Sequence, residues 1–515
     1  MASQKQTASD RPNIVYILGD DHRGEILGCA AHPVVETPNI DRLAVDGVRF
    51  SNFFCTSPVC TPSRCCHYLG QWERTHGVNF NSNSSVAPRA WQKSFPMLLK
   101  QQGYFTGWVG KNHVPAGNGG YDSGYLEREF DYWYGNHNHS GFYPKEQPRG
   151  RIYRNAAADT QVEVFLEGAL NFLEPQRAFI ESAQPVLPRR PEDRPFCLCI
   201  TFNLPHAHGT STMELRPTDD EIYKSLYRDR FRDIPLPPTY ISAWALDTPR
   251  LPPHVYDGVQ IPSYDYVRTP MALKERRIRE YQTITGMDRM LGVLRETLDR
   301  LGLAGNTIIV FSTDHGIHHG EHGLGGKNFL YEEDLRIPCV LYDPRRPAEQ
   351  RGRVIDEMVL VPDLAPTVLE LMGLDSPSSM QGNSVVPLIR GEDVAWRQDF
   401  FAEALMDIQN YPRSECLRTT EWKYIRYFRR TEDPRARGLY RGTLDNYIEC
   451  LSSTIEGEQP VYEELFHLAE DPIEEQNLAG DRTAGGILDG MRERIVTRAR
   501  DVTLRERPLT LPLDG

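Results

Sequence analysis

The chain has 515 residues, of which 39% are hydrophobic and 25% are charged, as in ordinary globular proteins. This length suffices for two or more domains built around a large core. The formal net charge of −13 argues against nucleic acid as a partner, because phosphate binding needs a basic surface. It does not argue against a small anionic substrate, since a pocket can carry a local charge opposite to the overall one.

The sequence contains no apolar run long enough to predict a membrane span. Its first residues, Met1 to Asp10, are polar and lack the apolar core of a signal peptide. The cysteines form no Cys-x-x-Cys pair, and Cys197 and Cys199 alternate in an apolar run that is typical of buried, reduced thiols. We therefore expect a cytoplasmic protein, or a periplasmic or secreted one if an export signal has been removed.

A continuous apolar run at residues 13–19 predicts a strand that is buried on both faces of a sheet. It ends at Asp20 and Asp21, and ligands of open α/β sheets bind at the carboxyl ends of strands. Adjacent carboxylates repel each other unless a positive charge compensates them, so the pattern favours a divalent cation. The alternative is a solvated acidic turn.

Residues 58–70 contain the pattern Cys-x-Pro-Ser-Arg, with the cysteine at Cys60 and the arginine at Arg64. Proline is tolerated in the first turn of a helix, so Pro62 predicts a helix that begins at or just after Cys60. The N-terminus of a helix favours an anion. The alternative for Cys60 is a small buried hydrophobic side chain.

A second buried strand is predicted at residues 104–110, and it leads to Lys111 and His113. Side chains two residues apart in extended chain point the same way, so these two groups share a face. A single lysine is most often a solvated surface charge. A lysine and a histidine together after a buried strand favour a functional role.

Two more buried strands are predicted at residues 195–204 and 307–312. The first leads to His206, which at neutral pH can act as general acid to a leaving alkoxide. The second leads to Asp314 and His315. All four strands therefore end in groups that can bind ions or transfer protons.

The loop after His315 is rich in histidine and includes His318, His319 and His322 before Lys327. A zinc site would need helical or Cys/His spacing, and this glycine-rich loop has neither. We expect substrate contacts from His318 and His319, with a purely structural role in the loop as the alternative.

The remaining segments predict helices, an insertion, a rim and a C-terminal region. The longest helical pattern covers residues 271–301. Residues 117–150 are predicted to be an irregular insertion whose aromatic side chains either stack on a sugar or aryl ring or pack locally. The proline-rich residues 217–270 are predicted to be an irregular rim. Beyond residue 395 the pattern changes to strands and turns, with a hairpin around Trp422.

In order along the chain, these motifs resemble those of the type I sulfatases, members of the alkaline phosphatase superfamily. The resemblance covers residues 13 to 477 and is weakest at 117–150 and 205–270, where substrate choice would be made. It implies an α/β fold with a large, mixed, mostly parallel sheet sandwiched by helices. We expect a catalytic domain at residues 1–394 and a smaller C-terminal α+β domain with an antiparallel sheet at residues 395–515.

The same resemblance implies a sulfatase that hydrolyses sulfate esters, and we expect carbohydrate esters. In this family a maturase oxidises the motif cysteine, here Cys60, to Cα-formylglycine, whose hydrate attacks sulfur. One divalent cation, expected to be Ca²⁺, would be held by Asp20, Asp21, residue 60, Asp314 and His315. The sulfate would be bound by Arg64, Lys111 and Lys327, with His206 protonating the leaving oxygen and His113 assisting sulfate release. The family more often has Asn than His at position 315, and a His ligand is unusual for calcium.

The nearest alternative is a phosphonate monoester or phosphodiester hydrolase, because tetrahedral phosphoryl and sulfuryl groups need similar cationic contacts. A second alternative is a protein that binds sulfated glycans without hydrolysing them. The third is a structural α/β protein. The sequence does not specify an oligomeric state.

Overall fold

The structure is a computed structural model that describes residues 11–78, 84–174, 176, 187–256, 262–406, 411–429, 458–503 and 510–512. Met1 to Asp10, on which the signal-peptide prediction depends, lie outside the described residues. Within the described ranges, no helix combines the length and the apolar character needed to cross a membrane.

An eight-stranded sheet forms the centre of the molecule. Its strands are β1 (Asn13–Asp20), β2 (Val48–Phe50), β5 (Phe105–Asn112), β6 (Tyr132–His137), β7 (Phe196–Pro205), β8 (Thr307–Thr313), β11 (Cys339–Tyr342) and β12 (Arg353–Ile355). Their order in the sheet is β12-β2-β11-β8-β1-β7-β5-β6, and neighbouring strands are parallel except where β11 pairs with β2 and β8. The predicted mixed, mostly parallel sheet is confirmed.

Helices cover both faces of this sheet, as predicted. The larger ones are α1 (Pro38–Asp46), α2 (Cys60–Leu69), α5 (Phe95–Gln101), α7 (Gln161–Leu173), α10 (Pro270–Arg300) and α12 (Leu364–Leu371). The shorter ones are α3 (Glu73–His76), α4 (Pro88–Trp91), α6 (Tyr125–Glu129), α8 (Ala207–Thr210), α9 (Glu221–Lys224), α11 (Glu332–Leu335) and α13 (Val386–Arg390).

Strand β1 shows how the sequence builds two cores. Val15 and Ile17 lie in one hydrophobic cluster, whereas Tyr16 and Leu18 lie in the other, because successive side chains of a strand point to opposite faces. Helices α1, α7 and α10 pack on the first face, and α2, α5 and α12 pack on the second. A strand buried on both faces needs the continuous apolar run that the sequence shows.

A second, antiparallel sheet is built from β14 (Asp399–Ala404), β15 (Ser414–Thr419), β16 (Trp422–Tyr427) and β17 (Tyr462–His467). Strands β15 and β16 form the hairpin that the sequence predicts. The last helix, α14 (Gly485–Asp501), packs on this sheet. The predicted boundary between residues 394 and 395 stays a prediction.

The C-terminal sheet also supports the segment that leads to Cys60. The backbone N–H of Glu403 donates to the Thr56 carbonyl at 2.9 Å. Arg74 pairs with the carboxylates of Glu403 and Glu415, and all three side chains are buried. Residues near the start and near the end of the chain therefore share one buried ion-pair cluster.

Three pairs of short strands complete the structure. They are β3 (Phe53–Phe54) with β13 (Val359–Leu360), β9 (His318–His319) with β10 (Gly325–Gly326), and β4 (Ser84–Val86) with β18 (Thr510–Pro512).

The prediction that residues 117–150 are irregular is wrong in one respect. Strand β6 lies inside this range and pairs in parallel with β5 at the edge of the main sheet. Its aromatic residues favour a strand, but glycine and histidine around them obscure the pattern. The rim at 217–270 is largely irregular, as predicted; residues 257–261 lie outside the described residues.

Candidate active site

The four strands predicted to end in functional groups are consecutive neighbours in the sheet, in the order β8-β1-β7-β5. Because they are parallel, their carboxyl ends lie at one edge and bring their following residues together. The residues brought together there are Asp20, Asp21, Lys111, His113, His206, Asp314 and His315. The N-terminus of α2 adds Cys60 and Arg64.

Cys60 is the first residue of α2 and is completely buried. Its Sγ atom lies 3.4 Å from Asp20 Oδ1, 3.3 Å from His315 Nε2 and 2.9 Å from Lys327 Nζ. Three separate segments of the chain therefore meet at this thiol. Ser63, in the first turn, donates to the Asp314 carbonyl at 2.5 Å, which fixes the helix against β8.

Arg64 joins two carboxylates of the site. Its Nε donates to Asp314 Oδ2 at 2.8 Å and its Nη2 to Asp20 Oδ2 at 3.2 Å. The side chain is 1% exposed, and Nη1 has no hydrogen-bond partner among the described residues. Arg64 thus orients both carboxylates and keeps one N–H group available to a ligand.

Two lysines pair with the adjacent carboxylates. Lys111 Nζ donates to Asp20 Oδ2, and Lys327 Nζ donates to Asp21 Oδ1 at 2.9 Å. Burial raises the pKa of Asp20, but the positive charges of Lys111, Arg64 and Lys327 outweigh burial and hold this pKa well below its usual value. Burial lowers the pKa of Lys327, yet Asp21 and Cys60 raise it well above its usual value.

The pKa of Asp21 is shifted in the opposite direction from that of Asp20. Burial raises the pKa of Asp21, Lys327 lowers it, and the neighbouring Asp20 raises it further, so that it stays above its usual value. Its Oδ2 atom is buried and has no hydrogen-bond partner among the described residues. An additional positive charge would stabilise this carboxylate.

The donor set fits a divalent cation. His315 Nδ1 donates to the Gly316 carbonyl at 2.8 Å, so the lone pair of the neutral ring is on Nε2. That Nε2 atom lies 3.5 Å from Asp314 Oδ1 and 4.0 Å from Asp20 Oδ1. One ligand atom from each of Asp20, Cys60, Asp314 and His315 lies within 4.8 Å of the others, and Asp20, Asp21, Cys60 and His206 form a second such group. Carboxylates with one imidazole suit a hard or borderline cation.

His206 follows β7 and lies above the carboxylates, with Nε2 at 3.7 Å from Asp21 Oδ2. Its Nδ1 accepts a hydrogen bond from the backbone N–H of His208 at 2.9 Å. The proton of the neutral ring is therefore on Nε2. Burial and the charge of Lys327 hold the pKa of His206 well below its usual value, so the ring is neutral.

His113 lies beside Lys111 and is completely buried. Its ring stacks on Tyr121 with centroids 5.8 Å apart and contacts the edge of His139 at 4.8 Å. Burial, followed by the charge of Lys111, holds the pKa of His113 well below its usual value. A neutral imidazole there can accept a proton.

A cavity of about 340 Å³ opens onto this cluster. Val59 and Lys327 line it, and Cys60 adjoins both, so its sulfur lies directly behind the cavity wall. The other lining residues are His139, His206, Ala207, His208, Ser211, Tyr264, Met406 and Tyr411. The sequence gives no motif for the last three, because they come from the rim and from the loop after β14.

The two histidines predicted to bind substrate lie elsewhere. His318 and His319 are completely buried and do not line the cavity. His318 Nδ1 lies 2.7 Å from Asp334 Oδ1, and His319 Nε2 lies 3.1 Å from Glu280 Oε1. These positions argue against the predicted substrate contact and favour the alternative of a structural role in the loop.

The aromatic residues of the 117–150 insertion are divided among three environments. Tyr134 and Phe142 are buried in the core. His139 lines the cavity beside Lys327. Trp133 and His137 line a separate cavity of about 700 Å³, which contains none of the predicted catalytic residues.

Comparisons with known proteins agree with this constellation. The sulfatase family profile matches residues 12–374, and the profile of the N-sulphoglucosamine sulphohydrolase C-terminal region matches residues 320–440. N-acetylglucosamine-6-O-sulfatase of Bacteroides thetaiotaomicron is 26% identical over 484 residues, which cover 83% of this chain and 80% of that protein. Iduronate 2-sulfatase of Mus musculus is 26% identical over an alignment of 541 positions, gaps included, which covers 95% of both chains.

Solved structures show the same fold. A protein solved in complex with its substrate D-glucosamine-2-N,6-O-disulfate aligns with a TM-score of 0.65 and 22% identity, covering 96% of this chain and 98% of that one. Phosphonate monoester hydrolase of Agrobacterium radiobacter aligns with a TM-score of 0.65 and 20% identity, covering 95% and 96%. With the family match over residues 12–374, these findings show that the chain belongs to the sulfatase family, in the alkaline phosphatase superfamily, and is an enzyme that hydrolyses sulfate esters.

Proposed function

We propose that the enzyme hydrolyses sulfate esters of carbohydrates. Its nucleophile would be Cα-formylglycine, formed from Cys60, and it would bind one divalent cation, Ca²⁺. The observation that carries this proposal is the position of Cys60 Sγ, 2.9 Å from Lys327 Nζ and within 3.4 Å of Asp20 and His315. The two relatives described above are named for sulfated sugars, which supports a carbohydrate substrate. The proposal requires a maturase that oxidises Cys60.

The cation would be held by Asp20, Asp21, Asp314 and His315, together with residue 60. When bound, it would lower the pKa of the attacking hydroxyl and offset the negative charge on the sulfuryl oxygens. The partnerless Oδ2 of Asp21 and the lone pair on His315 Nε2 support this assignment. The paired aspartates are kept in place by Arg64 and by the two lysines.

The charge balance of the site favours an anionic ester. The negative charges of three carboxylates balance the positive charges of three side chains. The carboxylates are those of Asp20, Asp21 and Asp314, and the positive side chains are Arg64, Lys111 and Lys327. A bound divalent cation therefore leaves the pocket with a net positive charge. A sulfate monoester carries one negative charge and offsets part of that excess. Lys111, Lys327 and Nη1 of Arg64 would bind its oxygens; the pairing of both lysines with the aspartates and the partnerless Nη1 among the described residues support this assignment.

Proton transfer is assigned to two neutral imidazoles. His206 carries its proton on Nε2 and lines the cavity, which suits it to protonate the leaving oxygen. His113, buried next to Lys111, is proposed as the base that assists sulfate release. The lowered pKa of each ring keeps it neutral at physiological pH, so each ring has one N–H and one lone pair. We assign the N–H of His206 as donor and the lone pair of His113 as acceptor.

A phosphonate monoester or phosphodiester hydrolase is the second candidate, favoured by the likeness of the fold to the phosphonate monoester hydrolase. We also propose that residues 1–394 form the catalytic domain and residues 395–515 the smaller C-terminal domain.

Two measurements test the proposal. The mass of the peptide containing Cys60, from protein made in a host that has the maturase, is expected to show the aldehyde in place of the thiol. The same preparation is expected to hydrolyse 4-nitrophenyl sulfate and a sugar 6-sulfate faster than 4-nitrophenyl phosphate. Full activity in protein whose Cys60 is entirely thiol would contradict the assigned nucleophile, and a preference for phosphoryl esters would favour the second candidate.

A further inference from the structure

A buried ion pair on helix α10 connects two of the loops that carry catalytic groups. Arg276 and Glu280 are one helical turn apart, and Arg276 Nε donates to Glu280 Oε1 at 2.8 Å. Arg276 Nη2 donates to the Pro205 carbonyl at 2.6 Å, immediately before His206. On the other side, His319 Nε2 lies 3.1 Å from the same Glu280 oxygen. One carboxylate thus links the His206 loop with the loop that begins at His315.

The connection continues to the loop that carries the paired aspartates. The backbone N–H of His319 donates to Glu321 Oε2 at 2.5 Å, and the other Glu321 oxygen accepts from Arg23 Nη1. Arg23 follows Asp21 by two residues. A continuous chain of polar contacts therefore runs from the end of β1, through the 315–327 loop, to the end of β7.

The carboxylates and the imidazole in this series of polar contacts are all buried. Glu280 and Glu321 are each 1% exposed, His319 is 0% exposed and Arg276 is 4% exposed. Burial raises the pKa of Glu280, but His319 and Arg276 lower it to about 2, so the carboxylate is ionised. Buried charges are costly to remove one at a time, because each leaves a partner unpaired. The relative positions of the loops are consequently tightly restrained.

We propose that Glu280 is a positioning residue that sets the distance between His206 and the loop carrying His315 and Lys327. This inference rests on the function proposed above, because it assigns His206 to the leaving oxygen and Lys327 to the sulfate. Both groups must act on opposite sides of one sulfur–oxygen bond, and helix α10, with 31 residues, is a rigid reference for them. A misplacement of about 1 Å costs roughly 10²-fold in rate.

The test compares Glu280→Gln with Asp288→Asn. Asp288 is also a buried carboxylate on α10, 2% exposed, but it accepts hydrogen bonds from Asn39 and Ile40 at the start of α1. Both variants are measured for melting temperature and for kcat/KM on 4-nitrophenyl sulfate, a good leaving group, and on a primary alkyl sulfate, a poor one.

Displacement of His206 slows the ester that needs protonation of its leaving oxygen more than the ester that does not. We expect Glu280→Gln to lose about 10²-fold more activity on the alkyl sulfate than on the aryl sulfate. Asp288→Asn is expected to lower the melting temperature without changing the ratio of the two activities. An unchanged ratio in Glu280→Gln, or an equal change in both variants, would overturn the inference.

If Glu280→Gln does not fold, two variants that each break one link replace it. Arg276→Gln is expected to change the alkyl-to-aryl ratio, and His319→Gln to lower both activities equally; the reverse pattern overturns the inference. If the wild-type enzyme hydrolyses neither sulfate ester, the proposed function fails. The activity ratio of Glu280→Gln is then measured on phosphonate monoesters that have the same two leaving groups.

Discussion

Lys327 Nζ lies 2.9 Å from Cys60 Sγ and 2.9 Å from Asp21 Oδ1, so one ammonium group contacts both the assigned nucleophile and an assigned cation ligand. It also lines the cavity. Of the three proposed sulfate-binding cations, all of them described residues, only Lys327 lines this cavity. Lys327 is therefore the one of these three cations that an incoming anion meets at the cavity wall.

Lys327→Met removes this charge while keeping the length of the side chain. We expect kcat/KM on 4-nitrophenyl sulfate to fall by about 10²- to 10³-fold, as for loss of one preorganised group that stabilises transition-state charge. Lys93→Met, at an exposed position, is the control and is expected to retain activity. A fall of less than tenfold in Lys327→Met would exclude Lys327 from transition-state stabilisation.

Removal of the divalent cation is expected to abolish hydrolysis and to lower the melting temperature, because a cation that binds only the folded state stabilises it. Added Ca²⁺ is expected to restore both properties. Asp314→Asn is expected to need a higher Ca²⁺ concentration for the same recovery, since it removes a charge from the ligand set. Retained activity in protein shown by elemental analysis to be metal-free would contradict the cation assignment.

His318 and Asp334 predict a pH dependence of stability. Burial lowers the pKa of His318, but the Asp334 carboxylate outweighs it and raises this pKa to about 9. Because the folded-state pKa exceeds the unfolded value of about 6.5, the pair stabilises the fold fully below pH 6.5. The stabilisation is lost as the pH rises from about 6.5 through 9.

Urea unfolding at several pH values measures this effect. The free energy of unfolding of the wild type is expected to fall over that window by up to about 1.4 kcal/mol per pH unit from this group. His318→Gln is expected to remove the decrease, and His254→Gln, at an exposed histidine, to keep it. The same slope in wild type and His318→Gln would show that folding does not shift the pKa of His318.

Lys423 connects the C-terminal sheet to the catalytic region. Its Nζ lies 2.8 Å from Glu332 Oε1 and 2.7 Å from Glu474 Oε1, and the lysine is completely buried. Lys423→Met leaves the buried Glu474 carboxylate without its cation, whereas Glu332 keeps Arg418. The loss is expected to cost about 3–5 kcal/mol. Combining Glu474→Gln with Lys423→Met is expected to recover part of the lost free energy of unfolding.

A matched control lies on the same sheet. Arg492 pairs with Glu463 at 2.5 Å, but the arginine side chain is 44% exposed. Arg492→Met is expected to cost less than about 1 kcal/mol, as for exposed ion pairs. Equal losses in Lys423→Met and Arg492→Met, measured by urea unfolding, would show that the buried pairs contribute no more than surface ones.

The sheet and the strand-end residues could be predicted because each depends on local pattern. A run such as residues 13–19 must be buried on both faces, and the residue after it must then lie at the carboxyl edge of the sheet. The helix at Cys60 follows from Pro62 in the same local way. Residues 132–137 were harder, since an edge strand shows a weaker apolar run.

The partners of His318 and His319 could not be predicted from the sequence. A histidine in a glycine-rich loop has the same local pattern whether it faces substrate or a buried carboxylate. The carboxylates that decide the matter, Asp334 and Glu280, come from α11 and α10. Tyr264 lies in a short 3₁₀ helix of the rim, Pro262–Arg268, and Tyr411 follows β14. Neither segment has a periodic apolar pattern, so only the tertiary structure places them at the cavity.

The hydrogen bond between Glu403 and Thr56 has a consequence for the order of events in the living cell. Thr56 and Cys60 leave the ribosome long before Glu403 does, and the buried cluster around Arg74 cannot form until Glu415 has followed. Until then the segment before Cys60 lacks its hydrogen bond to Glu403. The maturase proposed above would therefore meet Cys60 in a chain where this contact has not yet formed.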